Sequence, residues 1–479
     1  MLVNYCYLLI ELGKVDTIIR NGKLVTSVGI YEAGIAIDNG KIVQLSHETN
    51  LPSAERTIDA KGRLVFPGMI DSHIHILLSR ADSPPKADDY ESATRAAVLG
   101  GVTTIFDYVI QHSTEKTPKE AINRALEKSR QSNIDFAYHM ALSGIRIKTY
   151  DDLHNSIDAA IEGGITSFKI YMDYKSRGHM LTNDMLYDAI RYSKRKGAII
   201  QTHCEDGDLA DYFDKEFENE VRSAEYCIKN WPKHRPNFIE EIAINTILSI
   251  ARYANAPIYI VHLTTKDGLK SIRDSKRAGQ KVFVEVCCPY LFISMEDMEK
   301  LGPYAYTSPP YRSKEDVEAL WQGIADGTID VLSSDHVAPS KTTKDIGFTD
   351  WFKTAGGVPC VEEKLSLFYN EAVVKRNLSP TLLTRLMCEN PSKIWGLYPK
   401  KGSFIVGADA DIVLLDPKEE RTIRAENMKS GAGYTPFEGW KVRGVPTLTM
   451  LRGKILMEDS KFDGSSGFGK YLPLEPKFD

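Results

Sequence analysis

The stretch "LVFPGMIDSHIH" runs from Leu64 to His75. It reads as a short apolar strand that ends in two imidazoles, His73 and His75. Two residues apart on a strand, these side chains point the same way. Histidine is uncommon in a buried strand, and two on one face are costly unless something binds them. The fold follows from asking what lies beyond this strand. Similar apolar runs recur at 103–109, 135–142, 167–172, 198–204, 257–263, 281–286 and 329–335. Amphipathic helical stretches separate them, among them "ESATRAAVLGG", "KEAINRALEKSRQ", "NDMLYDAIRYSKRKG" and "FIEEIAINTILSIARYA". Strands alternating with helices predict an α/β fold, a parallel, closed (β/α)₈ TIM-like barrel.

The two ends of the chain differ from this middle. "VDTIIRNGKLVT" (15–26) and "EAGIAIDNGKIVQLS" (32–46) are β-rich runs, each broken by Asn-Gly, the strongest short hairpin signal. "ADIVLLD" (410–416) and "PTLTMLRGKILME" (446–458) look alike. The simplest arrangement is a small β-sandwich built from both chain ends, with the barrel inserted. The expected division is 1–63 and 401–460 for the sandwich, 64–400 for the barrel and 461–479 for a tail.

Length and composition bound the function. A chain of 479 residues suits one large domain plus a smaller one. Its net charge of -5 offers no basic surplus for nucleic acid or an anionic membrane surface. The 7 cysteines are scattered without a CxxC pair, which predicts a reduced, cytoplasmic protein. The apolar start "MLVNYCYLLIEL" lacks a basic region and a cleavage site, so it does not read as a signal peptide. No run approaches the roughly 18 apolar residues that span a bilayer.

In such a barrel, chemistry sits at the C-terminal ends of the strands. The first run ends in His73 and His75, the fifth in His203, the sixth in His262 and the eighth in Asp335. The fourth carries Lys169 and is followed by Tyr174. Imidazole and carboxylate together suit zinc and other divalent metals. A single catalytic zinc usually takes three protein ligands, so this set suggests two ions. Two ions need a bridge, and no spare Glu or Asp presents itself at these strand ends. An ammonium at Lys169 would be repelled by two cations. Lysine serves only if its nitrogen is neutral or carries a carboxyl group, and a carbamate on Nζ would be anionic and able to bridge.

Each residue also has a plainer reading. A lone strand histidine is more often structural, Lys169 alone would reach for solvent, and Tyr174 would be a rim aromatic. Asp335 and His336 could cap a helix, although the apolar strand before them favours ligation by Asp335, with His336 turned away. Alternation turns Cys204 away too, and Cys287 and Cys288 read as small buried apolar groups. His47, His112, His139, His154, His179 and His234 show no partner pattern. The loop 77–90, "LLSRADSPPKADDY", reads as a mobile surface loop.

Several motifs together resemble the cyclic amidohydrolases: "GMIDSHIH", "SFKIYMDYK", "QTHCEDGD", "IVHLTTKDG", "TSPPYR" and "SSDHVAP". "NPSKIWGLYPKKGSFIVGADADIVLLDP" and "YTPFEGWKVRGVP" are similar to the dihydropyrimidinase and D-hydantoinase branch. The resemblance covers nearly the whole chain in order. It implies that His73, His75 and Asp335 hold the more buried metal and that His203 and His262 hold the more exposed one. Lys169 would bridge them as N6-carboxylysine, with zinc as the first expectation for both ions. Tyr174 would donate to the oxyanion, and Ser308 and Gly357 would hold the substrate ring through the backbone. A hydroxide bridging the metals would attack the ring amide, with Asp335 as general base and then acid, giving an N-carbamoyl amino acid. A homotetramer is also implied, and Leu77 and Leu78 would face the substituent on the ring. The chain departs from the family at Cys204 and Asp206 in "HCEDGD", in "EVCCPYL" (285–291) and in "GGVPCVE" (356–362), where Gly356 stands at an Asn position.

Three alternatives remain. Allantoinases share the metal set, but "FDYVIQ" and "VPCVEEKL" look more like the hydantoinase branch. Dihydroorotases place an arginine two residues past the histidine pair, where this chain has Leu77. Collapsin response mediator proteins keep the fold as scaffolds without metal ligands, whereas every ligand position is filled here.

Overall fold

The computed structural model describes residues 13–76, 78, 86–220, 223–475 and 477–478. The N-terminal stretch read against a signal peptide lies outside these residues. So do Leu77 and most of the 77–90 loop.

Eight parallel strands form one sheet in chain order. They are Met69–Ile74, Val102–Ile110, Asp135–Ala141, Ser167–Tyr171, Ile199–His203, Ile258–Ile260, Val282–Cys287 and Val331–Ser333. Each expected run contributes one strand to this barrel sheet. Helices such as Tyr90–Leu99, Pro118–Lys128, Asn183–Arg195 and Asn237–Tyr253 connect them and pack outside. Their starts are written in the sequence. Asp89 and Thr117 cap the first two by accepting from backbone N–H groups of the opening turn.

The sheet curls until its first and last strands meet. Asp335 N–H donates to the His73 carbonyl at 2.9 Å, and His75 N–H to the His336 carbonyl at 2.9 Å. Deeper in this seam, Ser334 N–H reaches Asp71 Oδ1 at 3.1 Å, and Lys364 Nζ pairs with Asp71 Oδ2 at 2.8 Å, fully buried. At the N-terminal end of the strands, Trp395, Leu472, Leu474 and Phe478 join Ile70, Phe106, Ile199 and Val331 in one apolar plug.

The chain ends form two further sheets. One has four strands, all N-terminal, and the other has seven, drawn from both ends. Ile19, Ile35, Ile37 and Ile58 of the first pack on Val65, Ile412, Leu414 and Met450 of the second, as a sandwich does. The larger sheet is buried on its other face as well, where Phe66, Val413 and Leu415 pack against the barrel helices. That double burial explains continuous apolar runs such as "IVLL" in place of alternation.

Two expectations are corrected. The run 64–75 is not one strand. Leu64–Pro67 pairs with the strand Ile412–Thr422 in the larger terminal sheet, and only from Met69 does the chain enter the barrel. The break falls at Gly68, where a Cβ would lie 2.2 Å from Thr103 Oγ1. Likewise, the first Asn-Gly is no hairpin. Val15–Arg20 and Lys23–Val25 lie in different sheets. A type I′ turn needs positive φ at both central residues; Asn21 has it (58°) and Gly22 does not. At Asn39-Gly40 both do (50° and 73°), and Asp38 pairs with Lys41 across a true hairpin.

Candidate metal centre

The mouth of the barrel gathers the polar ends of its strands. His73 lies in the first strand and His75 just beyond it. The His73 Nδ1–H donates to Glu285 Oε1 at 2.6 Å, which leaves the Nε2 lone pair facing inward. That Nε2 is 3.2 Å from His75 Nε2 and 3.2 Å from Asp335 Oδ1, and His75 Nε2 is also 3.2 Å from the same oxygen. Three ligand atoms thus converge across the barrel seam.

Across the mouth, His203 Nδ1 lies 3.0 Å from His262 Nε2. The opposite nitrogen of His203, Nε2, donates to Glu205 Oε2 at 2.9 Å. The His73 and His262 rings are 5.7 Å apart. Lys169, also buried, has Nζ 5.7 Å from the centre of the Tyr108 ring, which stacks on His75 at 4.8 Å.

Burial sets the electrostatics. It holds the His73 and His262 imidazoles well below their ordinary pKa, so both are neutral at pH 7 and present lone pairs. Lys169 is pushed down to about 8, chiefly by desolvation, and its charge is felt by both His73 and His262. It lies in the fourth strand, which pairs with the strand that ends in His203. Burial opposes the charge on Glu205, but Arg235 and His203 outweigh it and hold that carboxyl at about 2. Neutral imidazoles with converging lone pairs, a buried carboxylate and a buried lysine of weakened basicity fit a divalent metal site.

The backbone is strained here. His262 (φ 34°), Asp335 (49°) and Tyr174 (60°) all adopt left-handed conformations. Each costs about 1–3 kcal/mol unless its surroundings enforce it, and such residues cluster at functional sites. The Tyr174 ring lies 5.1 Å from that of His203. Ser308 Oγ donates to Glu205 Oε2 at 3.2 Å. Gly357 reaches the same rim through its N–H, which donates to the Tyr306 carbonyl at 3.0 Å. Its φ of 96° and a Val337 side chain 2.4 Å from where a Cβ would stand admit only glycine. Gly356, at the departed Asn position, has no atom nearer than 3.7 Å to a built Cβ.

The sequence offers no spare acid at these strand ends as a bridge, and the acids that the structure brings there bond histidines instead. Glu285 lies inside the seventh strand, and its carboxylate holds His73. Glu205 holds His203, and Asp173 lies 3.9 Å from His203 Nε2. Both glutamates were visible in outline. Glu285 interrupts the apolar run "KVFVEV", and Glu205 follows His203 by two residues. His336 turns away from the candidate ligands, as expected. Its Nε2 meets Asp88 Oδ2 at 3.0 Å, and its Nδ1 accepts from Cys360 N–H at 3.1 Å. Cys204 Sγ contacts the Thr202 carbonyl instead of a ligand.

Comparison with known proteins gives the family. The amidohydrolase family matches residues 64–456. The D-hydantoinase of Ralstonia pickettii is 36% identical over 462 residues, covering 95% of this chain and 98% of that protein. A solved D-hydantoinase structure superposes with a TM-score of 0.91 at 35% identity, over 97% of this chain and 100% of that one. The L-hydantoinase (dihydropyrimidinase) of Arthrobacter aurescens superposes at 0.88 with 30% identity, over 96% of this chain and all of that one (100%). A barrel whose seam and mouth are built this way, matched end to end by such relatives, belongs to the amidohydrolase family, in its hydantoinase and dihydropyrimidinase branch.

Proposed function

We propose that this chain hydrolyses the ring of a cyclic amide, a 5-substituted hydantoin or a dihydropyrimidine, to an N-carbamoyl amino acid. The observation that carries this reading is the convergence of His73, His75 and Asp335 on one side of the mouth and His203 with His262 on the other. Lys169 is buried in the fourth strand, beside the strand that ends in His203, and the relatives named for this chemistry match 95% and 96% of the chain. His73, His75 and Asp335 would hold one divalent metal, and His203 and His262 the second. Lys169, as N6-carboxylysine, would bridge them, with zinc the proposed metal. When bound, such ions activate water near neutral pH and polarise a carbonyl.

The protein's own groups do the rest. Asp335 accepts the proton of the attacking water and returns it to the leaving ring nitrogen, which leaves as an amide nitrogen once its C–N bond breaks. Glu285 keeps His73 in one tautomer, so that Nε2 stays available. The Tyr174 hydroxyl donates to the oxyanion. Ser308 and Gly357, on loops tied together through Tyr306, hold the ring by backbone groups. A homotetramer in the cytoplasm is the proposed state, which light scattering checks.

A panel of dihydrouracil, 5-substituted hydantoins, allantoin and dihydroorotate tests the reading on metal-loaded protein. Turnover of the first two classes is expected. Turnover of allantoin alone would assign a different ureide, and a protein that binds no divalent metal would be a scaffold.

A further inference from the structure

Glu205 lies in the buried stretch just past the fifth barrel strand, two residues from His203. Its Oε2 accepts two hydrogen bonds, one from His203 Nε2–H at 2.9 Å and one from Ser308 Oγ at 3.2 Å. Its other oxygen, Oε1, faces Arg235 Nη1 at 3.6 Å. That guanidinium is itself fixed by Asp173 at 2.7 Å and Asp214 at 2.7 Å, and Arg312 donates to the Arg235 carbonyl. The carboxylate is thus held from behind by a cation and contacted from the front by two donors. All of these groups except Ser308 and Asp214 are nine-tenths buried or more. Ser308 stands 103 residues from Glu205 in the sequence.

We propose that Glu205 is a positioning residue that couples the metal held by His203 and His262 to the substrate ring bound at Ser308. Its first effect is on the metal ligand. Accepting from Nε2–H fixes the His203 tautomer, so Nδ1, the nitrogen facing His262, is the ligating atom. Its second effect is on the substrate loop, because the same oxygen sets the position of the Ser308 side chain and, with it, the backbone that meets the ring. A shift of His203 on metal binding is therefore felt at Ser308. By reciprocity, a ring bound at Ser308 tightens the metal. The proposal rests on the function proposed above.

Glu205→Gln separates the two demands on this group. Arg235 behind it requires an acceptor, and His203 and Ser308 in front require one too. An amide supplies an acceptor on one side only. In metal-loaded Glu205→Gln, a chromophoric chelator should strip one of the two metals about 10–100-fold faster than from the wild type, as loss of such an orienting partner does. With metal saturating, KM for the best substrate of the panel should rise roughly tenfold while kcat stays within about threefold. Metal release at the wild-type rate, or an unchanged KM, would overturn the proposal. Should the variant fail to fold, a crystal structure of the zinc-loaded wild type decides instead. Ligation through His203 Nδ1, with Glu205 bonded to both His203 and Ser308, is expected. Ligation through Nε2, or Ser308 turned away, would refute the coupling. Absence of any ring opening by the wild type would count against the proposed function; metal release and the zinc-loaded structure would still judge Glu205.

Discussion

A buried lysine tolerates a pair of cations beside it only if its nitrogen loses its charge or reverses it. Lys169 is buried in the barrel, and burial already weakens its basicity to a value of about 8. Replacing it with alanine removes the proposed bridge. Lys169→Ala should retain less than one metal per chain by elemental analysis and lose activity by roughly 10³-fold or more, the kinetic equivalent of about 4 kcal/mol. Full metal content with full activity would dismiss the bridging role. At this scale the convergence of His73 and His75 with Asp335, and of His203 with His262, was legible, because each ends an apolar run, where alternation fixes its direction. The glutamates that orient the histidines were harder to see. A carboxylate inside a strand or just past one announces a partner but not which partner. Glu285 meets His73 from 212 residues away.

At the scale of elements, the loop that carries Gly357 continues through Glu362 into the helix Lys364–Tyr369. Glu362 is buried, and its Oε2 accepts from Lys429 N–H at 2.8 Å. Burial, reinforced by the charge of Glu363, raises its carboxyl from 4.5 to about 8. The folded chain therefore binds a proton that the unfolded chain releases across that interval, and stability falls as pH rises from 4.5 to about 8. Glu362→Gln imitates the protonated form. Its melting temperature should match the wild type near pH 5 and exceed it by a few degrees at pH 8.5; equal curves at both pH values would show that this carboxyl does not titrate in the interval. Element boundaries were legible where one signal dominated, as at the eight barrel runs. They failed where two structures compete for one signal. Asn21-Gly22 has the composition of a hairpin turn, but the chain uses it to pass between sheets. The Leu64–His75 run has the hydropathy of one strand, but Gly68 divides it between two sheets.

The whole molecule is joined by charges that no local pattern reveals. Lys401, after the last barrel helices, is 1% exposed, and its Nζ contacts Asp135 at 2.5 Å, Asp411 at 2.8 Å and Asp409 at 2.9 Å. Asp135 opens the third barrel strand, and Asp411 precedes a strand of the larger terminal sheet, so one ammonium ties the two together. Lys401→Met leaves buried Asp411 without its cation, and Asp135 and Asp409 with only Arg452 and Lys41; it should destabilise the protein by about 3–5 kcal/mol in denaturant unfolding, and a change below about 1 kcal/mol would mean that the aspartates share protons instead. The barrel seam gives another prediction. Because His73 lies in the first strand, His75 just beyond it and Asp335 after the last, an ion held by them would also be a clasp. Chelation should speed hydrogen exchange in peptides covering 71–76 and 331–338 more than in those covering the third and fourth strands. Uniform protection with and without metal would refute that role.

The same seam bears on how the protein is made. His73 and His75 leave the ribosome about 260 residues ahead of Asp335, which is roughly 10–50 s at ordinary synthesis rates. Throughout that time the nascent chain carries a pair of imidazoles and no carboxylate to complete them. Metal capture by the proposed ligands would therefore be a late event in the life of each chain, and a chain halted before its eighth strand would have two of these three candidate ligands and nowhere to seat the ion.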